Sequence, residues 1–377
     1  MKNYIVKNGR IILKDSILDG FDIVVENNTI TDISQDVAVV GNFTIIDAKQ
    51  AYVSPGFVEV HIHGCGTYGF DILDEGDLER AAGFLKQNGI NTFVPTFQYN
   101  REVVNDVVRK IQQSSLLADI PGIYIEGPFI SKEKKGGISA DYIFDFDRER
   151  LEQIIGETGG LLKLMTIAPE KDGSREMAAY LNEHGVVPCY GHSNCEIKDV
   201  DIPGKYKTNI THLFNAMSGV SHKRSGLAML PFINHDTFFE LNGDGIHLND
   251  ETIRMCYSSL NREKLVMISD AVVSAGLEYG EYTSYNREIV SNEFGVRYKA
   301  DNVLMGSNLL VNQILKRFVE LTGASLYEAV RFVSYNPCQL LGIDHRRGSI
   351  EIGKDDDLIL LDRELNVIGN LKNGYGE

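Results

Sequence analysis

No window of this chain approaches the ~20 consecutive apolar residues that a membrane-spanning helix requires. The opening segment, MKNYIVKNGRIILKD, is broken by charges every few positions and holds no apolar stretch of signal-peptide length. Basic residues are in short supply: 37 Lys and Arg stand against 53 Asp and Glu, a formal net charge of −16. Polyanion binding needs a basic face, so a nucleic-acid partner is excluded. A small phosphate is still compatible with that charge, because one basic side chain and a few backbone N–H groups suffice to hold it. The cysteines Cys65, Cys189, Cys195, Cys256 and Cys338 are odd in number and scattered, with no CxxC pair. They read as reduced thiols rather than a disulfide framework. The expectation is a cytoplasmic protein with no membrane and no nucleic acid among its partners.

Internal repeats and low-complexity linkers are missing too, as is a GxGxxG turn after an early strand, which leaves a doubly wound dinucleotide-binding sheet without support. What the chain does have is 377 residues, 43% of them hydrophobic and 24% charged. That suffices for one large α/β domain and a smaller one, with no staple needed for folding. The first fifty residues read as short strands with Asn-Gly at 8–9 and Asn-Asn at 27–28 as turn signals. The last thirty, GSIEIGKDDDLILLD and NVIGNLKNGY, look alike. Neither end would make a stable sheet alone. The expectation is a small β-sandwich domain from residues 1–53 and 344–377, around a catalytic domain spanning 54–343.

Between the ends, short β-branched or aromatic runs alternate with amphipathic helical stretches, the mark of βα units. Strands are expected at 57–63, 91–97, 122–127, 162–168, 186–192, 208–214, 237–243 and 264–270. Helices fit between several of them, such as Glu75–Asn88, Arg101–Gln113 and Ser174–His184. Eight strands over that length predict an α/β fold of the (β/α)8 TIM-barrel type.

The chain holds nine histidines. His61, His63, His192, His212 and His247 fall at or just past the C-terminal ends of expected strands, where a TIM barrel carries its active site. A lone histidine there would be read as a satisfied polar residue. His184, before Gly185, is such a case, a helix C-cap favoured by the dipole. Five at one level of the barrel point instead to a metal. The i, i+2 spacing of His61 and His63 sends both side chains to one face. Glu126 ends strand three ahead of Gly127-Pro128, and Asp270 ends strand eight, where an N-cap is the bland alternative. Together these residues make a nitrogen–oxygen site without thiolates. It suits a divalent ion, and zinc, iron and manganese all remain open on the donor set alone. A divalent ion brings water's pKa down to roughly 7, and a neighbouring carboxylate can take that proton and pass it to a leaving amine. The chemistry indicated is hydrolysis of an amide or similar carbonyl.

The segments PGFVEVHIHGCG, IYIEGPFIS, YGHSN, THLFNAMS, GDGIHL and ISDA, in this order, resemble the N-acetylglucosamine-6-phosphate deacetylases of the amidohydrolase superfamily. The resemblance runs over nearly the whole chain and includes MGSNLL and the closing GSIEIGKDDDLILLD. It implies that Glu126, His192 and His212 hold the principal metal, with His61 and His63 holding a second that Glu126 bridges. Asp270 would be the general base and then the acid, also touching the second metal. His247 would polarise the acetyl carbonyl or contact the sugar, and Asn215 with the Ala216 backbone would reach the phosphate. The implied substrate is N-acetylglucosamine 6-phosphate, and the implied assembly a homodimer.

Two segments depart from the family pattern. Ile138, in KKGGISADY, stands where a histidine is usual. The loop GVSHKRSGL offers Lys223 or Arg224 where an arginine usually reaches the phosphate across the dimer, and a solvated surface loop is the competing reading for both. These departures leave N-acetylgalactosamine 6-phosphate or an unphosphorylated N-acetyl sugar as alternatives. A cyclic-amide hydrolase would need a lysine at the end of strand four, whereas Lys163 lies near its start. A non-catalytic scaffold would lack ligands, and none is missing.

Overall fold

The computed structural model describes residues 3–71, 74–200 and 206–372. The chain divides into two compact units, one of residues 1–58, 83–92 and 311–377, the other of 59–82 and 93–310.

In the first unit a four-stranded sheet runs in the order Thr29–Ser34, Asp22–Glu26, Tyr4–Lys7, Thr44–Asp47. A five-stranded sheet runs Val367–Asn370, Leu358–Leu361, Tyr52–Pro55, Arg10–Ile12, Ile17–Asp19. Leu358–Leu361 pairs antiparallel with Tyr52–Pro55, so segments from the two ends of the chain share one sheet. Tyr4, Val6, Ile23 and Val25 of the first sheet pack with Ile11, Val53, Leu358 and Leu360 of the second in one core. Asn27 and Asn28, at φ 52° and 63°, form a two-residue turn closing the pair Glu26 and Thr29. Asn8-Gly9 behaves differently: it passes the chain from one sheet to the other instead of closing a hairpin. The last expected strand is observed at Val367–Asn370, and residues 373–375 of that expectation lie outside the described residues.

The eight-stranded sheet follows the expected (β/α)8 order: Phe57–Ile62, Ile90–Gln98, Ile123–Glu126, Leu162–Ile167, Val187–Tyr190, Asn209–Ile210, Phe238–Asn242 and Leu265–Ile268. Neighbours from the second strand to the eighth pair in parallel. Strands such as Leu265–Ile268 are buried at every position, which explains their continuous apolar runs. The helix Arg101–Gln113 buries Val104, Val107, Val108 and Ile111, at helical spacing. Asn100 caps it, its side chain accepting from the Glu102 and Val103 amides. Helices also form at Asp77–Gln87 and Ser174–Glu183, the latter ending on His184, whose Nδ1 lies 2.8 Å from the Tyr180 carbonyl oxygen.

The barrel's eighth and first strands meet through Asp270 N–H to His61 O (3.0 Å) and His63 N–H to Ala271 O (2.8 Å), both just at the C-terminal rim. Strands five, six and eight stop two residues before the histidine or aspartate that was expected to end them. The cause is local: His192, His212 and Asp270 adopt left-handed φ of 45°, 30° and 51°, which no strand accommodates. An antiparallel sheet that sequence reading had not assigned follows the barrel: Gly280–Ser284, Arg287–Asn292, Gly295–Tyr298 and Leu304–Gly306.

Candidate active site

The rim residues converge. His192 Nε2 and His212 Nε2 lie 2.8 and 3.0 Å from the same oxygen of Glu126, and 3.1 Å from each other. His63 Nε2 stands 3.2 Å from Asp270 Oδ1 and 3.6 Å from Glu126 Oε2. His61 Nε2 faces the same two carboxylates at 3.7 and 3.8 Å. Two triads result, Glu126–His192–His212 and His61–His63–Asp270, each with its ligand atoms within 4.8 Å of one another. All six side chains are buried.

Each triad is oriented from behind. His61 Nδ1 lies 2.8 Å from Glu240, whose other contacts are the His212 amide (2.9 Å) and Asn209 (2.7 Å). Glu59 accepts from the backbone amides of His61 and Ser269 at 3.1 Å each. His192 Nδ1 contacts the Lys134 carbonyl oxygen at 2.7 Å, and His63 Nδ1 the Tyr285 hydroxyl at 2.9 Å. His247 Nδ1 lies 2.7 Å from Asp244, which leaves Nε2 3.3 Å from Asp270 Oδ2. Outer partners of this kind set the tautomer and ring orientation of a metal-binding histidine.

The electrostatics favour a cation. Glu59, Glu126, Glu240, Asp244 and Asp270 are all buried, and the cavity lined by Glu126 and Asp270 has no lysine or arginine among the described residues of its lining. Buried carboxylates without compensating positive charge are costly. Burial alone would raise Glu126 and Asp270, yet their histidine neighbours hold both well below the ordinary carboxylate range. Burial opposes charge on His61 and His247 as well, but Glu240 pushes the first up to about 10 and Asp244, with Asp270, the second. Burial pushes Glu59 up to about 8. His61 Nε2 is buried without a hydrogen-bond partner while facing two carboxylates, as a ligand nitrogen would. The residues therefore fit a divalent cation, by their nitrogen–oxygen chemistry and by this orphaned atom.

The cavity over these residues has a volume of about 270 Å³. Asn215 and Ala216 line it, as do Ile138 and, from the inserted sheet, Tyr285, Tyr298 and Leu304. Ile138 packs with Ile130 and Ile143 in a small apolar cluster. Lys223 and Arg224 are not brought to the cavity; Arg224 pairs with Glu196 on an exposed loop. The supporting residues Glu240, Asp244, Glu59 and Tyr285 went unnoticed in the sequence. For two of them a signal was there: Glu240 is a lone charge inside the apolar run TFFELNG, and Asp244 precedes His247 by one helical turn's spacing in GDGIH.

An eight-stranded parallel barrel that gathers histidines and carboxylates at its C-terminal rim defines the class of metal-dependent hydrolases. The chain belongs to the amidohydrolase family, whose model matches residues 52–374. It is 30% identical over 328 residues to the N-acetylglucosamine-6-phosphate deacetylase of Bacillus subtilis (strain 168), covering 83% of this chain and 81% of that protein. It is 25% identical over 372 residues to the N-acetylgalactosamine-6-phosphate deacetylase of Escherichia coli O157:H7, covering 97% and 96%. The solved N-acetylglucosamine-6-phosphate deacetylase of Thermotoga maritima superposes with a TM-score of 0.84 at 29% identity, covering 98% of each chain.

Proposed function

We propose that the protein deacetylates N-acetylglucosamine 6-phosphate, yielding glucosamine 6-phosphate and acetate. The convergence of the two triads on one cavity carries this reading, and the names borne by the relatives favour the substrate. Glu126, His192 and His212 would hold the principal ion, for which we favour zinc, and His61, His63 and Asp270, with Glu126 beside them, would hold a second one. A bound divalent cation supplies an acidified water and a Lewis acid for the carbonyl oxygen.

The rest falls to side chains. Asp270 takes a proton from the attacking water and delivers it to the departing amine. His247, fixed by Asp244, directs Nε2 into the space beside Asp270, where it can steady the charge developing on the carbonyl oxygen. Asn215 and the Ala216 backbone line the cavity where the sugar phosphate would lie. Since the described residues of that lining include no lysine or arginine, Lys223 or Arg224 would reach the phosphate from a second copy in a cytoplasmic homodimer.

Ile138 favours a second reading, the galactosamine epimer or an unphosphorylated N-acetyl sugar, because it presents an apolar wall to the cavity. Acetate release from both epimers, each with and without the 6-phosphate, decides between them. The expected order of kcat/KM puts N-acetylglucosamine 6-phosphate first. A higher value for the galactosamine epimer or for either free sugar replaces the first reading with the second.

A further inference from the structure

Among the histidines of the two triads, His63 alone is held from behind by a group of the inserted antiparallel sheet. Strands Gly280–Ser284 and Arg287–Asn292 pair in a register that sets Ser284 opposite Arg287, leaving Tyr285 and Asn286 as a two-residue turn. Both have left-handed φ, 49° and 56°. Such turns favour Asn, Asp or Gly at these positions, and a bulky aromatic residue is held there against its backbone preference. Strain of this kind persists where the surroundings enforce it, and it gathers at functional sites. The Tyr285 ring is turned inward, into the lining of the main cavity and of a smaller one flanked by Asp71, Asn100 and Tyr142. Its hydroxyl stops 2.9 Å from His63 Nδ1.

We propose that Tyr285 is a positioning residue for His63, the phenol of a hairpin tip that aims this histidine at the second cation. The inference rests on His61, His63 and Asp270 acting as ligands. Nε2 of His63, which faces Asp270 and Glu126, must be unprotonated to bind a cation. The ring proton then sits on Nδ1 and is donated to the phenolic oxygen, which fixes both the tautomer and the ring plane. Glu240 does the same for His61 with a carboxylate from the barrel itself. The second ion is thus supported on one side by the barrel and on the other by an inserted hairpin.

The test is a zinc titration of the full chain against a competing chelator, with metal content counted after dialysis, for the wild type, Y285F and H63A. Y285F keeps the ring and removes only the oxygen. The wild type is expected to hold two zinc ions per chain. In Y285F one ion should weaken about 10–100-fold while the other keeps its affinity, and H63A should lose that same ion. Two ions of unchanged affinity in Y285F, or only one ion per wild-type chain under excess zinc, overturn the proposal. Failure of the deacetylase reading would show elsewhere, as absence of acetate release from every sugar while zinc still binds.

Discussion

Asp270 occupies an unusual position for a single carboxylate: one oxygen faces His63 at 3.2 Å and the other faces His247 at 3.3 Å. In the proposed mechanism Asp270 is both a ligand and the carrier of the proton between water and amine, and the substitution Asp270→Asn separates the two roles. The amide keeps an oxygen for the ligand side but cannot carry the proton. Metal content should remain near that of the wild type while kcat falls about 10²–10⁴-fold, the usual contribution of a positioned acid–base. Turnover within a few-fold of the wild type, with metal retained, would remove Asp270 from that role. Glu240 makes a second residue-scale case, because it touches both His61 Nδ1 and the His212 amide. Glu240→Gln should weaken metal retention about 10–100-fold in a chelator competition. Retention equal to the wild type would mean that packing alone holds the two histidines.

At the scale of elements, the segment following the 344–349 turn offers a prediction independent of the active site. Burial opposes ionisation of Glu351, but Ser349, Lys14 and Lys354 hold its carboxyl down to about 2. A carboxylate lowered by folding adds stability above its unfolded value near ~4.3, and this support fades as pH falls toward 2. The Tm of the wild type should therefore drop more steeply between pH 5 and pH 3 than that of Glu351→Gln. Parallel curves would show that the contact adds nothing.

The elements themselves were legible to different degrees. All eight barrel strands could be read, since buried parallel strands announce themselves as short apolar runs, and HxH projects from one by simple period two. Their last residues could not be read, because the left-handed turns at His192, His212 and Asp270 depend on what those side chains approach rather than on local propensity. The hairpins between Gly280 and Gly306 were missed altogether. Their strands are half-exposed, with polar and charged residues interleaved, and Tyr285-Asn286 is not a recognisable hairpin turn in sequence. Glu240 and Asp244 carried a faint local signal, but their partners lie on other strands or depend on a loop's path. Ile138 and the Lys223–Arg224 loop were visible as departures from a family pattern, and only the cavity's lining separates them: Ile138 is in it, the two cations are not.

For the molecule as a whole, Glu126, Asp270 and the histidines His61, His63, His192 and His212 gather, buried, at one rim of a barrel, with ligand atoms close enough to hold a divalent cation. Among the described residues that line the cavity there is no lysine or arginine, and Glu126 and Asp270 face histidines instead. Catalysis is expected to be conditional on metal, whichever sugar is preferred and whether or not a second copy supplies a phosphate contact. The most direct measurement is acetate release from N-acetylglucosamine 6-phosphate by protein stripped with a chelator, before and after zinc is restored. The stripped protein should release no acetate above background and recover its rate as zinc is added back. A metal-free protein that turns over as fast as the reconstituted one would contradict the account at its base.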